Sequence, residues 1–314
     1  MKLGAFILLT VILLLPPLAT IATTNEKPLV VCTTTVLGSI VSDLTKGEVI
    51  VEVIASPSIC PAHYDVKPSD VDAFRKASLI LTHGFEPWVE ELREASKTQA
   101  PIVEIKGPWN IPSKLKEVYR KVAKALQDNL KLNVNERLER CLKGIDETEA
   151  WLKDYASENG FVEKPIVCML WQRPFLSYLG FEVVASFKPP EMVSMKEYEA
   201  VLANATREGA VLVVDNLQSG TELGEKIARE IGAVEVALTN FPGTAPNLNN
   251  VTQVMKYNAK LLAQALKEAS VVKETVKLRN EVEMWKAGAL IASVVALIFV
   301  AITVALALKL RKGR

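Results

Sequence analysis

Residues 287–308 carry no charged side chain. As a helix, this run is about 33 Å long at about 1.5 Å per residue, the thickness of a bilayer's hydrocarbon core, so it predicts a transmembrane helix. Trp285 marks one interface, and Lys309, Arg311, Lys312 and Arg314 follow the run. Basic residues stay on the cytosolic side, which predicts a single-pass cell-membrane protein with a cytosolic tail over 309–314 and its body outside. At the other end, Met1-Lys2, an apolar run over 3–15, Pro16-Pro17 and small residues up to Ala22 make the pattern of a signal peptide over 1–22. Asn204-Ala-Thr206 and Asn250-Val-Thr252 are glycosylation acceptor triplets on the outward body, though such triplets are common by chance.

The overall balance of 37 Lys+Arg against 36 Asp+Glu hides an asymmetry, because residues 23–284 hold 31 of the cations and all 36 anions, net −5. A mildly acidic body excludes a nucleic-acid binder, whose domains are usually strongly basic. Cys32, Cys60, Cys141 and Cys168 are too few and too spread for a disulfide framework. Cys32 and Cys168 sit in apolar runs and Cys141 at helical apolar spacing, so all three are expected in the core. Cys60 stands apart, in a polar, proline-bounded loop three residues before His63.

Within the body, β-branched runs at 29–34, 49–54, 79–82 and 102–105 alternate with amphipathic stretches near 36–45, 69–77 and 86–97. A second series places strands at 166–169, 182–185, 211–214 and 234–238, with helices near 173–179, 194–207 and 221–231. That rhythm predicts an α/β fold of two lobes, each a mostly parallel sheet flanked by helices. Ser194 and Glu197 form a capping box at the start of one helix. Residues 113–158 hold no strand signal, and Val134, Leu138, Cys141, Leu142, Ile145, Leu152 and Tyr155 recur at three- and four-residue intervals, predicting a long helix. The expected division is an N-terminal lobe over 23–133, a joining helix over 134–158, a C-terminal lobe over 159–269, a charged helical stalk over 270–286 and the span. In parallel sheets, ligands bind beyond the carboxyl ends of the strands, which directs attention to polar groups just after them.

The segment from Val53 to Trp88, with Pro61, His63, Tyr64, Pro68, Ser69 and Asp70 followed by Gly84, Glu86 and Trp88, resembles the metal-receptor family of ABC-importer solute-binding proteins for zinc, manganese or iron. The segment 107–112, with the stretches around Phe175, Asp215 and Asn240, resembles the rest of that family in order, so the likeness covers roughly 28–269. It implies a membrane-anchored extracytoplasmic receptor, not an enzyme, working as a monomer with an ABC permease and its ATPase and carrying a divalent transition metal or a metal-containing solute. The family's three metal-binding histidines fall at Ala62, about Gly107 and Gln172, so the standard site is absent.

Two site readings follow. A bare ion would need Cys60, His63, Asp215 and either His83 or Glu86, because imidazole and thiolate suit borderline metals and a tight site needs about four donors. A chelate or an organic solute would instead be held by amides at Gln172, Asn216 and Asn240, with Glu86 nearby. Each of these residues has a plain structural role open to it: caps and loop ties for the amides and Glu86, a cleft-orienting role for His83. Two rivals remain in view: a surface scaffold or adhesin that kept the fold without a metal, and an ecto-hydrolase using Cys60, His63 and Asp215. No phosphate loop or nucleophile elbow accompanies them.

The topology is tested by protease added to intact cells. Residues 23–284 should be degraded while a tag after Arg314 stays protected, and a protected body would overturn the signal and the span together.

Overall fold

The computed structural model describes residues 26–312; the expected signal peptide, 1–22, lies outside them. The first half runs β1 (Leu29–Cys32), α1 (Thr35–Thr45), β2 (Ile50–Val53), α2 (Pro68–Lys76), β3 (Leu79–Thr82), α3 (Trp88–Ser96), β4 (Ile102–Glu104) and α4 (Pro112–Leu130). After α5 (Asn135–Glu158) come β5 (Pro165–Met169), α6 (Arg173–Tyr178), β6 (Glu182–Phe187), α7 (Met195–Glu208), β7 (Leu212–Asn216), α8 (Glu222–Ile231), β8 (Val234–Leu238) and α9 (Val251–Lys312). Each half forms a four-stranded, all-parallel sheet, in the orders β2-β1-β3-β4 and β6-β5-β7-β8. The strand order reverses beside β1 in one sheet and beside β5 in the other, which opens a crevice at each set of carboxyl ends.

Side-chain alternation decides how the two sheets are used. In β1 and β3, Val30, Cys32, Leu79 and Leu81 enter one buried cluster, while Val31 and Ile80 enter another beneath α2 and α3. Ile166, Cys168, Leu212 and Val214 of the second sheet join that first cluster, and Val167, Met169 and Val213 turn to a third beneath α7 and α8. The shared cluster is continuous through Leu115, Val122 and Leu126 of α4, Leu142, Ile145 and Leu152 of α5, and Val251, Met255 and Leu262 of α9. Period-two alternation thus gives each sheet one private face and one face in a common core.

Element ends follow local chemistry. β1 stops at Cys32 rather than Thr34 because Thr34 caps α1, its hydroxyl accepting from Leu37 N. The Ser194/Glu197 capping box forms at α7 as expected. The apolar repeat over 134–155 becomes α5, preceded by Lys131 in a left-handed turn that ends α4. Glu86 does not begin α3; Pro87 precedes its first turn, and Glu86 stays in the loop. Cys32 and Cys168 are fully buried as expected, whereas Cys141 is half-buried at the core edge and Cys60 half-buried in its loop, all four free thiols. The C-terminal helical stretch, stalk and apolar run are one uninterrupted helix, α9, apolar and long enough at its end to cross a membrane.

Because Leu152 of α5 is buried in the cluster that both sheets enter, Leu152→Ala should cost about 2–5 kcal/mol, the usual range for a core leucine. Thermal melts followed by far-UV circular dichroism and by tryptophan fluorescence should shift together. Two separated transitions would contradict a common core.

Candidate functional site

The carboxyl ends of the two sheets meet through direct contacts. Trp109 Nε1 donates to Asn240 O at 3.0 Å, Asn110 Nδ2 to Trp171 O at 3.3 Å, and Gln218 Nε2 to Pro57 O at 2.9 Å. The Trp109 ring lies 5.8 Å from that of Phe241 and 4.4 Å from that of His83, on which it stacks.

His83 is built into the wall of this junction. It is buried, and Ile105 O lies 3.3 Å from Nδ1; a carbonyl only accepts, so Nδ1 carries the proton. Nε2 then accepts from the Thr34 hydroxyl at 2.9 Å. Burial lowers the imidazole pKa, overriding the opposing charge of Glu86, and the ring is neutral. Both ring nitrogens therefore have partners inside the first lobe.

Glu86 beside it accepts from Thr33 Oγ1, Thr82 Oγ1 at 2.8 Å, His83 N at 3.1 Å and Phe85 N at 3.0 Å. Burial pushes its carboxyl up, but those hydrogen bonds outweigh it and keep the group below the ordinary carboxylate range. Its lone pairs are spent inside the loop.

Cys60 and His63 flank a 3-10 turn, Pro61–His63, pinned by Trp88 Nε1 donating to Pro61 O at 2.7 Å and by Tyr64 Oη donating to Asp70 at 3.0 Å. The turn leaves His63 outside: its side chain is 62% exposed and sits 3.6 Å from Glu191 of the second lobe. An exposed pair of this kind contributes little to stability.

Asp215 is elsewhere. It shares a face of the second sheet with Val213, beneath α8, and Gly224 of that helix presses on its carboxylate so closely that no Cβ fits there. Its neighbour on that face is Glu235, paired in register with Val213. Burial first, then the negative Glu235, raises the Asp215 pKa.

Among the described residues, no three His, Cys, Asp or Glu side chains gather as a metal-holding group, so Cys60, His63, His83 and Asp215 do not form one shell. The same placement separates Asp215 from Cys60 and His63, the other two groups of the hydrolase reading.

The amides behave differently. Asn216 Oδ1 accepts from Gln218 N at 2.9 Å and so caps a 3-10 turn; Gln218 uses both ends of its amide, accepting from Asn240 N at 3.2 Å. Gln172 Nε2 donates to Leu238 O at 3.3 Å, but its buried Oε1 has no partner. Asn240 Oδ1 and Asn110 Oδ1 are buried and unpartnered too. Asn110 and Glu191 escaped the sequence reading; the one signal for Asn110 was its place beside Trp109 in the segment 107–112.

Residues 30–265 match the family described as zinc-uptake complex component A, periplasmic (ZnuA). The chain belongs to the ZnuA family. Its members are solute-binding receptors of ABC importers, not enzymes. Solved structures share the fold: ZnuA, at 18% identity and TM-score 0.64 over 76% of this chain and 99% of the other; the periplasmic zinc-binding protein TroA from Treponema pallidum, at 16% and 0.67 over 77% and 99%; and a cadmium-bound periplasmic metal-binding protein from Candidatus Liberibacter asiaticus, at 14% and 0.65 over 76% and 100%. A curated relative, the uncharacterized protein RP014 of Rickettsia prowazekii, is 33% identical over 72 residues, 22% of this chain and 24% of its own length.

The Asp215–Glu235 pair has a pH signature. A carboxyl whose folded pKa is raised contributes stability below its unfolded value, about 4, and that contribution is lost as pH rises through the folded value. The protein should therefore lose melting temperature from weakly acidic to alkaline pH, and Asp215→Asn, which keeps a donor toward Glu235, should flatten the loss. An unchanged profile would place the titration elsewhere.

Proposed function

We propose that the chain is an extracytoplasmic receptor of an ABC importer, anchored in the cell membrane by the end of α9, and that it takes up its metal as a chelate with an organic shell. The reading is carried by the three unpartnered amide oxygens, Asn110 Oδ1, Gln172 Oε1 and Asn240 Oδ1, linked to one another through Trp171 and Trp109 at the lobe junction. A buried acceptor without a donor costs about 1–3 kcal/mol, and a hydroxyl- or amine-bearing ligand supplies the missing donors. Phe85 and Trp171 are each nearly half exposed beside these groups and offer apolar area that suits an organic shell better than a bare ion. The anchor is supported by the uncharged 287–308 run and the basic residues after it.

The bare-ion reading keeps one observation in its favour, the approach of His63 to Glu191 across the lobes, with Cys60 at the other end of the same turn. Mutation separates the two. In protein purified from its native host without added metal, elemental analysis and mass spectrometry should find metal together with an organic molecule. Gln172→Ala and Asn240→Ala should each lower that occupancy by about tenfold, the loss of roughly one buried hydrogen bond, while Cys60→Ala and His63→Ala leave it unchanged. Metal without an organic companion, lost on His63→Ala, would overturn the chelate reading.

A further inference from the structure

From Val251 to Ala265, α9 is held by the body through the buried Val251, Val254, Met255, Ala259, Leu262, Ala263 and Ala265. Beyond Ala269 no described side chain is buried. The helix nevertheless keeps an apolar seam there. Val271, Leu278, Val282 and Trp285 are 62%, 55%, 50% and 79% exposed, and with Thr275 they follow one another at intervals of four, three, four and three residues. The Thr275 hydroxyl donates to Val271 O at 2.8 Å, which satisfies its polar group and leaves its methyl free to pack. Ala289, Ala292, Ala296 and Phe299 continue the same intervals into the apolar run, where small side chains let backbones approach. Over this length, a four-three repeat is the pattern of a left-handed helix pair, with one position of the heptad at Thr275, Val282, Ala289 and Ala296 and the other at Val271, Leu278, Trp285, Ala292 and Phe299.

The charges beside the seam select its partner. Glu274 and Glu281 stand one residue before Thr275 and Val282, and Arg279 and Lys286 one residue after Leu278 and Trp285. These are the flanking positions that meet across a parallel, in-register pair, bringing Glu274 to Arg279 and Glu281 to Lys286 of the other helix. Within one helix, residues five apart point about 140° away from each other, so neither pair forms inside the chain. Among the described residues, Arg279 has no carboxylate partner, while Lys286 reaches Glu283 at 2.8 Å and Glu281 lies 4.0 Å from Lys277. A second copy of the same helix, parallel and in register, supplies both an apolar face and the opposite charges.

We propose that 271–299 is a parallel two-stranded dimer seam, so that the receptor stands in the membrane as a pair with two binding bodies on one stalk. This replaces the monomer expected from the resemblance, and it rests on α9 crossing the membrane. Two aqueous heptads alone form a marginal pair, but confinement to one membrane raises the effective concentration of the partner.

The test uses the full chain in lipid vesicles, in a Cys60→Ser/Cys141→Ser background, with single cysteines at 271, 278 and 282 on the seam and at 273, 277 and 284 off it. Mild oxidation should link the seam positions at least fivefold more than the others. Arg279→Glu, which faces Glu274 of the other copy with a like charge, should reduce linking at 278 severalfold, and the double variant Glu274→Arg/Arg279→Glu should restore it. Equal linking at all six positions, none at any, or no rescue by the double variant would overturn the seam. Protection of a tag after Arg314 reports the span separately, so a protected tag with no periodic linking would remove the dimer and leave the anchor standing.

Discussion

The core that both sheets share through α5 governs what the rest of the molecule can do. Val30, Leu81, Ile145, Leu152, Ile166 and Val214 belong to one buried cluster, so the lobes are not two bodies on a flexible tether. Opening the junction widely would expose apolar surface at about 25 cal/mol per Å², a cost that small rotations avoid. Lobe movement is limited by this core, which requires the groups at the junction to keep nearly fixed positions.

The first lobe's wall fits that requirement. His83 is neutral, fixed in one tautomer between Ile105 O and Thr34, and stacked on Trp109; Glu86 is ionised and tied by Thr33, Thr82 and two backbone amides. A carboxylate and an imidazole that would compete for a metal in open solution are here internal supports. His83 stacks on Trp109, and Trp109 donates to the backbone O of Asn240, so the chain at that point of the second lobe is positioned from the first. Among the buried groups at the junction, the unpartnered atoms are amide oxygens of Asn110, Gln172 and Asn240.

The strands and most helices were legible because their signals are local: the apolar run of Leu79–Thr82, the capping box at Ser194, the three-and-four repeat of α5. The family resemblance added the order of the segments and put the expected ligand positions at Ala62, about Gly107 and Gln172. Which residues gather was less legible. Asp215 shares a face with Val213 by simple alternation, but only the packing of Gly224 reveals that this face lies under a helix and away from the junction. His83 could not be separated from a ligand by sequence, since its role depends on Ile105, 22 residues away, and Thr34, 49 residues away. Asn110 and Glu191 gave no signal beyond their neighbours, because an unpaired oxygen and a contact between lobes exist only in three dimensions.

α9 runs from the junction to its apolar end. Asn258 exchanges hydrogen bonds with both backbone groups of Thr239, just past the carboxyl end of β8, so the helix is tied to the second lobe beside Asn240. From there it packs beside β8 and continues without a break to Trp285, about 40 Å further at about 1.5 Å per residue. Among the described residues of α9, no glycine or proline falls between the body and Trp285 to supply a bend. Under the proposed anchor, the body stands off the bilayer by the length of this unbroken segment.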